Sequence, residues 1–293
     1  MIAQPQSSRV FGLSRGISSP RRATERFLTD AYAVIGNPVE HSLSPAIHAE
    51  FARATGQDTS YGRLLAPLDG FNAVVLKFRD EGGKGLNVTL PFKEQAFRYC
   101  ARTSARAAAA QAVNTLVLDR DAPYGDNTDG VGLVRDLTLN QSRRVAGAQL
   151  LLLGAGGAAQ GVLAPLAAEN PAGIVIANRT LPRAAALAAR IPGATACGFD
   201  ALAGRSFDLV INATSAGLRG ELPPLPRGLF RPGALAYDMV YGRDTEFLAM
   251  ARAAGAAASD GTGMLVEQAA ESFLLWRGRR PDTRAVLAAL CAR

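Results

Sequence analysis

The chain has 293 residues, 48% of them apolar and 19% charged, enough for two domains of ordinary size with separate cores. No apolar run reaches the ~18 residues a membrane-spanning helix needs. The formal charge of +7 is concentrated in the first 28 residues, where five arginines face one glutamate; the rest carries no basic stripe interleaved with aromatics, which argues against nucleic acid as a partner.

Residues 1–28 lack the apolar core of a secretory signal. They read as a disordered basic extension or an over-long gene start, with organelle targeting as the alternative. Order is expected from about Tyr32. "AYAVIGNP" is an apolar strand ending in a turn. "SPAIHAEFARATG" is a helix with Ser44 as N-cap, Pro45 at the first helical position and Gly56 as the stop. "TSYGRLLAP" is a second strand and "LDGFNAVVLKFRDEG" a helix. "GLNVTL" is a third strand, with Pro91 opening the helix "PFKEQAFRYC". A short alanine-rich helix and strands around a turn, "AVNTLVLDRDAPYGDN", follow. Alternating strands and helices argue an α/β domain with a mostly parallel sheet.

A second α/β run begins after "TDGVGLVRDL". "AQLLLLGAGGAAQGVLAPLAAEN" reads as strand, glycine turn and helix. Strands at "GIVIANRT", "DLVINAT" and "GALAYDMV" and helices at "LPRAAALAARI" and "EFLAMARAAGA" continue it. The last two helices, from Gly261 onward, have no strand to pair with and could close either domain.

The glycine turn is the strongest local signal, because an apolar strand precedes it and a helix follows. Gly154 permits the turn, Gly156 lets backbone approach a pyrophosphate, and Ala159 lets helix meet strand. The helix N-terminus offers free N–H groups to phosphate. The next strand ends at Asn178, Arg179 and Thr180, where an NAD site usually carries an acid for the ribose hydroxyls. Arg179 and Arg183 suit a 2′-phosphate instead, which favours NADP; solvated helix-end arginines are the plain alternative.

Of the 32 basic residues only Lys77, Lys84 and Lys93 are lysines. Proton transfer requires a group that can give up its proton, which arginine cannot, so Lys93 is a candidate acid–base residue; a helix-surface lysine is the plain alternative. Asp126 and Asp129 in "YGDNTDGVG" usually mean a turn and a helix cap. They nevertheless lie where the first domain hands over to the second, a favoured place for ligands. Ser42 and Ser44 can face one ligand. His41 and His48 are the only histidines and lack a third ligand, so a metal site is not expected; His48 reads as structural. The cysteines, Cys100, Cys197 and Cys291, form no CxxC pair and read as free thiols.

With these residues in hand, the chain resembles the shikimate dehydrogenase family from about Tyr32 to the C-terminus. The resemblance rests on "GNPVEHSLSPAIH", "NVTLPFKE", "AVNTL", "DNTDGVG", "GAGGAA", "NRT", "NATSAG", "YDMVY" and "DGTGMLVEQAAESFLLW". It implies a substrate domain of residues 29–128 plus 262–293 and a Rossmann-like NADP domain of 129–261, with the C-terminal helices returning to the first domain. It implies Lys93 and Asp129 as the catalytic pair, and Ser42, Ser44, Asn87, Thr89, Asn114, Tyr241 and Gln268 as further substrate contacts. For the cofactor it implies Gly154, Ala155, Gly156, Gly157 and Ala158 at the pyrophosphate, and Asn178, Arg179, Thr180 and Arg183 at the NADP-selective end. Met239, Gly261 and Met264 would line the nicotinamide pocket. The implied activity is reversible reduction of 3-dehydroshikimate to shikimate, a cytoplasmic step toward aromatic amino acids, by a monomer or homodimer. A quinate/shikimate enzyme using NAD and a non-catalytic NADP-binding regulator are the competing readings. One departure from the family is Thr245-Glu246, where a Thr-Pro pair is common.

Overall fold

The computed structural model describes residues 29–119 and 122–291, the side chain of Cys291 excepted. The expected disordered leader lies outside the described residues.

The first half builds one six-stranded sheet from β1 (Asp30–Gly36), β2 (Thr59–Leu65), β3 (Gly85–Val88), β4 (Arg102–Thr103), β5 (Thr115–Val117) and β6 (Tyr124–Asp126). Its strand order is β2-β1-β3-β5-β6-β4. β1 is parallel to β2 and β3, and β4 to β6, while β5 is antiparallel to both its neighbours. Between the strands run α1 (Ser44–Thr55), α2 (Phe71–Asp80), α3 (Lys93–Tyr99) and α4 (Ala105–Ala110). Ala33, Ile35, Leu86 and Val88 pack with Phe71, Val75, Phe92, Ala96 and Ala107, so α2, α3 and α4 cover one face.

The chain then crosses through α5 (Asp129–Arg135) and a π-helical turn, Asp136–Asn140. The second sheet contains β7 (Gln149–Leu153), β8 (Gly173–Ala177), β9 (Thr195–Cys197), β10 (Phe207–Asn212), β11 (Phe230–Asp238) and β12 (Ala257–Ser259). Its order is β12-β11-β10-β7-β8-β9, and every pairing is parallel. The "QLLLL" of β7 reads as a continuous apolar run because both faces are covered. Leu150 and Leu152 meet α6 (Gly157–Ala168) and α7 (Leu181–Ala188), whereas Leu151 and Leu153 meet α8 (Glu246–Ala253).

The chain returns through α9 (Thr262–Arg277) and α10 (Arg284–Cys291). Val266, Ala269, Ala270 and Phe273 of α9 and Val286 of α10 bury against Ile47 and Phe51 of α1. Trp276 stacks on Tyr32 at 4.7 Å and donates to the Leu116 carbonyl at 2.9 Å. The last two helices therefore lie on the first sheet. Glu267, 1% exposed, is shared by Arg135, Arg280 and the Thr283 hydroxyl, tying α5, α9 and the start of α10 together.

Several local expectations are corrected. Leu43, not Ser44, occupies the N-cap position of α1, and no side chain caps it; Ser44 is the buried first helical residue. Pro91 does not open α3. It sits in a turn closed by Phe92 N–H to the Thr89 carbonyl at 3.0 Å, and the helix starts at Lys93. β4, β9 and β12, three residues or fewer, are not among the strands expected from the sequence; β5 and β6 are as short, but the turn between them marks them in the sequence. The Thr245-Glu246 departure costs the loop little. Thr245 caps α8 by accepting from Leu248 N–H and donates to the buried Asp238, while Glu246 places an acid in the first turn, where the helix dipole favours it.

α5 lies against α9 at Gly132, where a Cβ would stand 2.7 Å from the Gln268 backbone nitrogen. Gly132→Ala is expected to cost about 1–3 kcal/mol, because the obstructing atom is backbone and cannot swing away. Urea unfolding of the two proteins side by side measures it, and an unchanged midpoint would mean the helices separate freely.

Candidate active site

Two stretches distant in sequence converge at Asp129. β3 and the turn after it deliver Lys93 to the start of α3, and the "DNTD" segment after β6 delivers Asp129 to the start of α5. Lys93 Nζ donates to Asp129 Oδ2 at 2.6 Å. Asp129 is 5% exposed and the Lys93 side chain 17%, so the amine keeps an opening while its partner is enclosed. Asn127 Oδ1 accepts from Asp129 N–H at 3.2 Å, fixing the first turn of α5. The other oxygen of the carboxylate, Oδ1, accepts from Asn114 Nδ2 at 2.8 Å. Both oxygens thus have protein donors, which sets the direction of the lysine.

Asn114 belongs to a buried polar cluster. Its Oδ1 accepts from Thr128 N–H at 2.8 Å and from Thr115 Oγ1 at 2.9 Å. Its Nδ2 also lies 3.3 Å from Gln268 Oε1 on α9. Asn87, 6% exposed, points Nδ2 at the Asn114 carbonyl and at Ser272 Oγ, and accepts from Tyr61 Oη at 2.7 Å. Neither amide can be turned over, since Asn87 would then set oxygen against a carbonyl and Asn114 would set oxygen against a carboxylate. Lys93, Asp129, Asn114, Asn87 and Gln268 therefore form one connected set. Sequence reasoning missed Tyr61, Thr115, Thr128 and Ser272. Thr115 and Thr128 adjoin residues that were named, and Ser272 lies one helical turn after Gln268, a spacing that puts both on one face.

Ser42 lies just before α1 and Ser44 is the first residue of that helix. Ser42 Oγ accepts from Ser44 N–H, and the Ser42 carbonyl is held by Arg63. Thr89 is half-buried, its backbone N–H on the Ile35 carbonyl. Tyr241, half-buried, comes from the second sheet; burial raises its hydroxyl pKa and Arg63 opposes the rise. His48 is 2% exposed and stacks on Tyr61 at 4.2 Å. Its Nε2 has no hydrogen-bond partner among the described residues. Burial pushes its pKa down to about 3, an effect the nearby Asn87 amide offsets only in part.

The opposite wall is the glycine turn. Gly154 has φ +104°, and a Cβ there would stand 3.1 Å from the Ala213 carbonyl oxygen, so only glycine fits. Nothing lies within 4 Å of where a Cβ would stand at Gly156 or Gly157, which leaves bare backbone at the N-terminus of α6 for a pyrophosphate. Ala155 is buried and Ala158 half-buried behind it. α6 also touches the carboxylate itself: a Cβ at Gly161 would be 3.2 Å from Asp129 Oδ2. Gly157 and Gly161 are four residues apart, about 6 Å along the helix axis. The glycine turn and the lysine's partner are thus neighbours across one helix.

At the far end of that wall Asn178 Nδ2 donates to the Thr180 carbonyl. Arg179, Thr180 and Arg183 are exposed, and neither arginine forms an ion pair among the described residues. Near the cleft, Gly261 N–H donates to the Val240 carbonyl at 3.0 Å, and a Cβ at Gly261 would be 2.5 Å from the Met239 carbonyl oxygen. Met264, 6% exposed, follows within one turn. No group of three or more His, Cys, Asp or Glu suited to a metal occurs among the described residues. Cys100 and Cys197 are free, and burial raises the Cys100 thiol to about 12.

A Lys93–Asp129 pair one turn of α6 from a dinucleotide-type glycine turn suits an oxidoreductase that works with a nicotinamide cofactor. Family models described as shikimate dehydrogenase substrate binding domain, shikimate / quinate 5-dehydrogenase and shikimate 5′-dehydrogenase C-terminal domain match residues 34–116, 136–219 and 261–291. A shikimate dehydrogenase (NADP(+)) of Aromatoleum aromaticum is 60% identical over 269 residues, covering 89% of this chain and 96% of its own. The crystal structure of an Ael1 enzyme from Pseudomonas putida is 48% identical, with TM-score 0.84 over 89% of this chain and 98% of that one. That of shikimate 5-dehydrogenase from Thermus thermophilus with NADP(H) and shikimate is 34% identical, with TM-score 0.81 over 90% and 99%. The chain belongs to the shikimate dehydrogenase family.

His48 makes a pH prediction. In the unfolded chain it takes up a proton near its ordinary 6.5, but in the fold only near about 3. Between these values the unfolded state binds more protons, so stability is lost as pH falls. From about pH 7 to about pH 4 the loss through this group is about 3 kcal/mol. Urea unfolding across that range should give a shallower decline for His48→Phe than for the parent; parallel curves would refute a neutral buried imidazole.

Proposed function

We propose that this chain reduces 3-dehydroshikimate to shikimate reversibly with NADPH. The Lys93–Asp129 pair, held 2.6 Å apart beside the cofactor-side helix, is the observation that carries the reading. The identities of the relatives, NADP(+)-dependent shikimate dehydrogenases across nearly the whole chain, support substrate and cofactor together. The bare glycine turn fits a pyrophosphate, and the exposed Arg179 and Arg183, with no acid at the strand end, fit a 2′-phosphate.

NADPH, when bound, supplies the hydride. The protein's residues do the rest. Lys93 Nζ gives a proton to the C3 oxygen as that carbon is reduced, and takes it back in the oxidative direction. Asp129 holds the amine toward the cleft and is itself held by Asn114. Asn87, Thr89, Ser42, Ser44, Tyr241 and Gln268 surround the ring hydroxyls and carboxylate, keeping the reacting carbon near attack distance. Met239, Gly261 and Met264 take the nicotinamide side, and Ala155 and Ala158 keep the turn small behind the pyrophosphate. Residues 29–128 with 262–293 act as the substrate domain, and 129–261 as the cofactor domain.

Absorbance of reduced nicotinamide tests this directly, with shikimate or quinate crossed against NADP or NAD. NADP reduction with shikimate is the expected result. Folded protein that binds NADPH yet stays silent with shikimate would sink the reading. Lys93→Ala should lower kcat by roughly 10³-fold or more with KM changed far less. Lys93→Arg should fail similarly, because arginine keeps the charge but cannot release the proton.

A further inference from the structure

The chain crosses between its two sheets twice, through α5 with its π turn and back through α9. Both crossings are fastened at one buried point. Tyr237, near the end of β11, and Asp136, where α5 passes into the π turn, are each 0% exposed. Tyr237 Oη donates to Asp136 Oδ2 at 2.6 Å and accepts from Met264 N–H at 3.3 Å. Asn140 Nδ2 donates to Asp136 Oδ1 at 2.9 Å. At Gly263 a Cβ would stand 1.9 Å from Asp136 Oδ1, so the carboxylate fills the space a side chain would take.

The first turn of α9 has N–H groups that no preceding carbonyl can serve. Asp260 Oδ1 accepts from Thr262 N–H at 3.1 Å, and Met264 N–H finds its acceptor on a strand of the other sheet. The tyrosine thus caps α9 from a distance, and the Asp136 carboxylate adds negative charge at the end of the helix that favours it. The capped turn carries Met264, and the residue just before the helix, Gly261, rests on the Met239 carbonyl oxygen two residues after Tyr237. Two buried polar groups therefore set the spacing between Met264 and Met239.

We propose that Tyr237 and Asp136 are positioning residues for the nicotinamide end of the cofactor, acting through Met264 and Gly261 rather than by touching it. The proposal rests on the reading of Met239, Gly261 and Met264 as the nicotinamide side. Packing at the crossing is left to the ring and the glycine; the hydroxyl and carboxylate act on where α9 begins. A loss confined to the cofactor separates this role from a structural one.

Tyr237→Phe keeps the ring in the core and removes only the hydroxyl, leaving Met264 N–H and Asp136 without their shared partner. Fluorescence titration should show the NADPH Kd of this variant weakened by about 5- to 30-fold, with the KM for shikimate within about two-fold of the parent. An unchanged NADPH Kd overturns the proposal, as does a shikimate KM that rises in step with it. Should Tyr237→Phe fail to fold, Asp136→Asn keeps an acceptor for the hydroxyl and Asp136→Ala does not. The proposal then requires the NADPH Kd to weaken more in Asp136→Ala, and equal values refute it. The titration needs no turnover. A parent protein that binds NADPH but does not oxidise shikimate therefore defeats the proposed function and removes the KM comparison, while the NADPH Kd of the variant still decides this proposal.

Discussion

Asp129 is the group on which the rest of the arrangement depends. One oxygen holds Lys93, the other is held by Asn114, and Gly161 of α6 comes up against the first of them. Three separate requirements follow. The first sheet must bring α3 and the stretch before β5 to one end. The crossing helix must begin at the aspartate. α6 must be bare where it passes the carboxylate. A buried carboxylate is costly unless donors satisfy it, so each neighbour is constrained as tightly as the carboxylate itself.

The wider polar cluster works by the same logic. Asn87, Asn114, Thr115, Thr128, Gln268 and Ser272 come from β3, β5, the α5 approach and α9. A half-satisfied buried network would be worse than an apolar core. Here each hydroxyl has a partner, so the amides present a fixed polarity to the cleft. The exception nearby is His48 Nε2, which burial keeps uncharged.

Most of the fold was legible because its elements announce themselves over several residues. The "QLLLL" strand, the glycine turn and the Gly56 stop each obey a rule that tertiary contacts do not override. Ser44 shows the limit. Serine before Pro45 looks like a cap, yet the helix starts one residue earlier in register and draws the hydroxyl into the interior. Pro91 fails likewise, because its turn is closed by Thr89 and Phe92 before any helix begins. The short strands β4, β9 and β12 are specified by their neighbours rather than by their own residues. In the site, Lys93 stands out by residue type and Asp126 and Asp129 together by their place in the chain; only the family resemblance selects Asp129. Tyr237 could not be singled out, since what matters in it is a contact across more than a hundred residues, and Ser272 is reached only through its helical spacing from Gln268.

The return of α9 and α10 to the first sheet bears on how the molecule is made. The second sheet is contiguous in the chain, and its strands and covering helices all emerge in one uninterrupted stretch. The first sheet is not so placed. Until α9 and α10 leave the ribosome, Ile47, Phe51 and Tyr32 lack the helices that cover them. Asn87 and Asn114 likewise lack Ser272 and Gln268. During synthesis the first sheet is therefore completed after the second, and its interior stays open until α9 and α10 have been made.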